Sequence, residues 1–102
     1  MTVLGTELKF NVHLEPIDGF HMAEYDFEYA FYVFRNRAVL IKKADMEKID
    51  DDNYLVKITK EDALKIGKGM IYAEATAYIP DNDFVDGTRT EKLILCTEVT
   101  II

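Results

Sequence analysis

A chain of 102 residues, 49% hydrophobic and 30% charged, is sized for one domain (1–102) with its own core, and its composition excludes disorder. Its formal charge of −7, with no basic stripe, argues against a nucleic acid or an anionic membrane as partner. The single cysteine, Cys96, rules out an internal disulfide, and no apolar run approaches the roughly 18 residues of a membrane span.

Residues Glu7 to Leu14 alternate, with Leu8, Phe10, Val12 and Leu14 on one side and Glu7, Lys9, Asn11 and His13 on the other. That period of two predicts a strand with a dry and a wet face, broken at Pro16 and Asp18-Gly19. From Asp26 to Arg37 both faces are largely apolar: Phe27, Tyr29, Phe31 and Val33 on one, Glu28, Ala30, Tyr32 and Phe34 on the other. Aromatic and β-branched residues favour a strand here. A strand dry on both sides either lies centrally in a covered sheet or faces a partner. Asn36 is the expected turn, followed by a short strand from Ala38 to Lys43. Met46 and Ile49 suit one helical turn or an irregular strand, and Asp50-Asp51-Asp52-Asn53 reads as a turn. Tyr54, Val56 and Ile58 then share one face of a further strand.

Thr59 is placed to cap a short helix over Lys60 to Ile66, its hydroxyl accepting from the amide of Asp62. Glu61 and Asp62 suit the positive end of the helix dipole. Ala63, Leu64 and Ile66 supply an apolar stripe, and Gly67 or Gly69 supplies the stop. Met70 to Ile79 alternates again, and the small residues of the Ile71, Ala73, Ala75, Ala77, Ile79 face imply close approach of a second layer. After Pro80 and the acidic loop Asp81 to Gly87, Thr88 to Ile102 forms a long last strand with room for a bulge. Leu93, Leu95, Thr97, Val99 and Ile101 share one of its faces. The fold class expected is all-β: an immunoglobulin-like antiparallel β-sandwich of about seven strands with one short helical turn.

Sites of chemistry are sparse. His13 and His21 read as surface histidines, and Cys96 as a small buried or half-buried core residue. Asp50, Asp51 and Asp52, or Asp81, Asp83 and Asp86, offer loop oxygens of the kind calcium takes, but the spacing lacks a calcium loop's glycine and closing glutamate. Solvated turns are the expectation, with no metal and no cofactor. Glu28, Glu74 and Glu98 could do acid–base work only if paired, and cross-strand partnership with Lys9, Arg35 or Lys92 is expected instead. No catalytic residue is expected. Tyr25, Tyr29, Tyr32, Phe34, Tyr72 and Tyr78 form an aromatic set whose members suit either a core or a protein interface; they are the candidate interface residues.

Three segments carry a family resemblance: Thr6 to Val12, Val56 to Ala63 with Gly69-Met70-Ile71-Tyr72, and Asp86-Gly87-Thr88-Arg89-Thr90 leading into Leu93 to Ile101. A Thr-x-x-Asp turn before a glycine, a Tyr-rich strand, a polar loop and a closing strand follow in that order. The order resembles phage and prophage tail structural β-sandwich domains, notably the N-terminal domain of baseplate upper proteins. The opening Met1 to Glu7 has no basic region followed by an apolar block, so synthesis in the cytoplasm is expected. The resemblance implies a non-enzymatic building block, with the virion as its destination. Its partners would be proteins: copies of itself in a homo-oligomer, or other tail proteins. A carbohydrate- or peptide-binding accessory module is the alternative, with exposed tyrosines as stacking platforms.

Overall fold

The computed structural model of the chain describes residues 2–15 and 19–102; the break expected at Pro16 and Asp18 lies outside them. The strands among the described residues are β1 (Leu8–His13), β2 (Asp26–Tyr32), β3 (Val39–Lys42), β4 (Glu47–Asp50), β5 (Asn53–Ile58), β6 (Gly69–Pro80) and β7 (Thr88–Ile101). One helix, α1 (Lys60–Ile66), connects β5 to β6. A sheet ordered β1-β5-β4 packs on a sheet ordered β3-β2-β6-β7, and all pairings within them are antiparallel. This is the all-β, immunoglobulin-like sandwich expected, divided three strands against four.

The core follows from alternation. Phe27, Tyr29 and Phe31 of β2 point inward beneath Tyr54, Val56 and Ile58 of β5, and all are buried. Phe27 meets the Tyr54 ring edge-on at 5.1 Å, and Phe31 stacks on Phe10 of β1 at 5.2 Å. Such aromatic contacts add to area burial that is worth about 1.5–3 kcal/mol for each large side chain. On β6, Ile71, Ala73, Ala75, Ala77 and Ile79 are all buried, the alanines leaving room for the opposing layer.

The joints are local chemistry. Thr59 Oγ1 accepts from the amide of Asp62 at 3.2 Å, and Gly67, at φ +87°, closes α1 by donating its amide to the Ala63 carbonyl at 3.1 Å. Ala63 and Ile66 are buried, but Leu64 lies one step round the helix and is exposed, so the expected apolar stripe narrows to two residues. Gly69 has φ +132°, and a Cβ there would lie 2.6 Å from Val33 Cγ1, so only glycine fits. The turn expected at Asn36 is one 3-10 turn over Arg35–Arg37. The stretch around Met46 resolves into a 3-10 turn, Lys43–Asp45, followed by the irregular strand β4.

The two sheets differ in length. β1 and β5 have six residues each, whereas β6 has 12 and β7 has 14, and the molecule is 45 Å long. A bulge interrupts β7: Tyr72 pairs with Cys96 and Met70 with Thr100, leaving Thr97 to Val99 opposite Ile71, with Glu98 at φ +63°. The two added residues preserve the alternation, so Leu93, Leu95 and Ile101 do share the inner face. Of these, only Ile101 is buried.

Candidate functional site

The aromatic set divides by position. Tyr25 and Tyr29 belong to the core with Phe27 and Phe31, and Tyr32 is buried under Arg35, whose guanidinium carbon lies 4.9 Å from its ring centre. These three offer little surface to a partner, which corrects their expected place at an interface: Tyr25 and Tyr29 lie under the opposite sheet, and Tyr32 lies under Arg35 and beside Tyr72. Phe34 is 59% and Tyr72 40% exposed, and Tyr78 is half-buried. Tyr72 stacks on Tyr32 at 6.2 Å between ring centres, so the accessible aromatic surface is narrow.

The strand carboxylates on the same outer face are engaged. Glu74 sits between Arg35 Nη1 at 2.8 Å and Lys92 Nζ at 3.8 Å, the cross-strand partnership expected, and the hydrogen bond from Arg35 holds its carboxyl below the usual range. Glu28 accepts from the Tyr78 hydroxyl, which raises that phenol above its ordinary value. Glu98 stands alone in the bulge of β7, exposed. A shallow hollow of about 410 Å³ lies beside Asp26, Glu28, Lys42 and Tyr78. Its acidic and basic groups give it hydrogen-bonding character but no activated nucleophile beside a base.

Loop acids and histidines form one polar knot at the end of the three-stranded sheet. Asp52 accepts from His21 Nδ1 at 2.7 Å and from the Met22 amide at 3.1 Å, while its backbone carbonyl accepts from His13 Nδ1 at 2.7 Å. The Asp52 carboxyl is held low chiefly by the His21 hydrogen bond; the same bond raises His21, and the bond to the Asp52 backbone raises His13. Asp50 accepts from Asn53 and the Asp52 amide, and Asp51 pairs with Lys48 at 3.1 Å. Asp81 pairs with Arg89 at 3.0 Å, and Asp86 accepts from the Thr88 amide. Among the described residues no three His, Cys, Asp or Glu side chains converge on a metal position.

The longest run of consecutive exposed apolar residues is on β7. Leu93 and Ile94 are each 51% exposed, Leu95 is 40% exposed, and Cys96 is exposed too, contrary to its expected place in the core. Two causes combine. The order β3-β2-β6-β7 leaves β7 at an edge, and the three-stranded sheet is one strand too narrow to cover its inner face. An opening of about 290 Å³ remains between β1 and β7, walled by Phe10, Val12, Tyr29, Phe31, Ala73 and Leu95. Ile94 was not singled out by periodicity, since it falls on the polar side. The signal lay in the unbroken run Leu93-Ile94-Leu95-Cys96, apolar on both faces at once.

Among the described residues no helix is long and apolar enough to cross a membrane. No family model matches the sequence, and no curated protein and no solved structure matches the chain.

Proposed function

We propose that the chain is a non-enzymatic structural module of phage or prophage tails or baseplates, acting through protein–protein assembly. The observation that carries this is the uncovered edge of β7, where Leu93, Ile94 and Leu95 sit beside unpaired backbone groups. An open strand edge with apolar side chains on both faces is built to accept another protein's strand. Engaged carboxylates on the outer face, and the resemblance of three sequence segments to tail sandwich domains, support the same conclusion. The partners are then proteins, either copies of the chain or other tail components, and the destination is the virion.

Exposed Tyr72 and Phe34 favour a second function, a carbohydrate- or peptide-binding accessory module with ring stacking as its mechanism. The neighbourhood of the coding sequence and co-expression with its products test between them. Capsid, portal or tail genes alongside, and a stable complex with at least one of their products, are expected. Saturable glycan binding by a chain with no such neighbours would replace the tail assignment by the accessory one.

A further inference from the structure

We infer that β7 is a self-recognition edge: it pairs antiparallel with β7 of a second copy, joining two four-stranded sheets into one continuous sheet. This rests on the assembly function proposed above and names its partner and register.

The four sheet edges are unequal. β4 has four residues, all exposed, three of them charged, and an irregular register. β3 is equally short and ends against Lys43, whose ammonium donates to the carbonyls of Met22, Ala23 and Tyr25. β1 alternates Lys9, Asn11 and His13 along its wet face. Short length, charge and irregularity are how proteins keep edges from pairing. β7 has none of these over Leu93 to Cys96, in a strand of 14 residues.

Its C-terminal end is guarded, which limits where a partner can lie. Beyond the bulge, Thr2 occupies the edge: its amide donates to the Thr100 carbonyl at 3.0 Å, and its carbonyl accepts from Ile102 at 2.8 Å. The edge free of Thr2 therefore lies N-terminal to the bulge, and its apolar part is Leu93 to Cys96. A two-fold axis through Ile94 centres the pairing on Leu93, Ile94 and Leu95. Opposed residues in such a pair share a face, so Leu93 of each copy meets Leu95 of the other on the inner side, and the two Ile94 side chains meet on the outer side.

Charge complementarity along this edge points to a second copy as the partner. Each chain carries −7, so two copies repel except where the contact itself is neutral or complementary. Along this edge Arg89 is held by Asp81 and Glu91, each at 3.0 Å. Lys92 is 63% exposed and only loosely held, 3.8 Å from a Glu74 that Arg35 already satisfies. In this register Lys92 of one copy opposes Cys96 of the other, and the exposed Glu98 follows two residues on, in the bulge, so opposite charges flank the contact twice over. Glu98 is exposed and has no ion pair to give up among the described residues.

Sedimentation of the whole chain from about 1 μM to 1 mM tests the inference. A monomer–dimer equilibrium is expected. Ile94→Lys, which sets two ammonium groups on the axis, should weaken it by about tenfold or more. Lys92→Glu and Glu98→Lys should each weaken it, and the two together should restore it; this charge swap carries the test if Ile94→Lys fails to fold, since both residues are exposed. In a Cys96→Ser background, Ile94→Cys should cross-link into a covalent dimer under mild oxidation. A strict monomer throughout overturns the inference, yet leaves the tail function standing if the chain still binds a neighbouring gene product. A dimer indifferent to Ile94→Lys and to the charge swap also overturns it, placing self-association elsewhere.

Discussion

The inner faces of β2 and β7 carry similar apolar alternation, Phe27, Tyr29 and Phe31 in one and Leu93 and Leu95 in the other, yet one is sealed and the other half bare. Both strands belong to the same sheet and both point these residues the same way. What differs is the opposite layer. β1 and β5 lie over β2, whereas the three-stranded sheet leaves Leu93 and Leu95 of β7 uncovered. Alternation therefore assigns a side chain to a face, and coverage by a second layer decides whether that face becomes core or contact surface.

The sharpest way to break this comparison is truncation on each side. Phe31→Ala should cost about 3–5 kcal/mol in urea unfolding, because it removes a buried ring stacked on Phe10. Leu95→Ala should cost less than about 1 kcal/mol, since water already reaches it. Equal losses would mean that β7 is as well covered as β2.

A finer test concerns the hydroxyl of Tyr29, which is buried and finds no hydrogen-bond partner among the described residues; burial raises its phenol well above the ordinary value. Tyr25 shares the condition, with its phenol pushed up to about 12, burial again the first cause. Tyr29→Phe removes an unsatisfied polar group while keeping the ring, so the urea midpoint should hold or rise, by up to about 1 kcal/mol in stability. A clear loss would mean that the hydroxyl is satisfied in solution, through the opening between β1 and β7.

The smallest expected effect is at the histidine knot. His13 and His21 are raised from about 6.5, so their contribution is complete below that pH and is lost as pH climbs through their folded values. Asp52 is lowered from about 3.8, so its contribution is present above that pH and is lost as pH falls through its folded value. Thermal unfolding should show stability greatest between about pH 4 and 6.5 and declining above it. His21→Gln should flatten the alkaline decline; an unchanged slope would show that the knot does not couple to folding.

Much of the architecture was legible in the residues because period two is imposed by the backbone itself. The faces of β1, β5 and β6, the Thr59 cap and the extent of α1 all follow from nearest neighbours in sequence. That strand carboxylates would find cations across the sheet was legible as a type of contact, but which ones was not: Glu74 meets Arg35 and Lys92, whereas Glu28 accepts from Tyr78. Of the six expected interface residues, Phe34, Tyr72 and Tyr78 are accessible, and Tyr25, Tyr29 and Tyr32 are covered. Residue type cannot separate a tyrosine under a second sheet from one facing solvent. Cys96 failed for the same reason, its outward position depending on which strand lies at the edge.

Sequence by itself determined the strand class, the alternating faces, the one capped helix and the acidic, weakly basic surface, because each is written in short-range spacing and charge. Tertiary structure alone decided the strand order, and with it which edge is left open. Sheet order depends on pairings between residues dozens of positions apart, such as Phe10 with Val56 and Tyr29 with Ala75, and no local pattern encodes them.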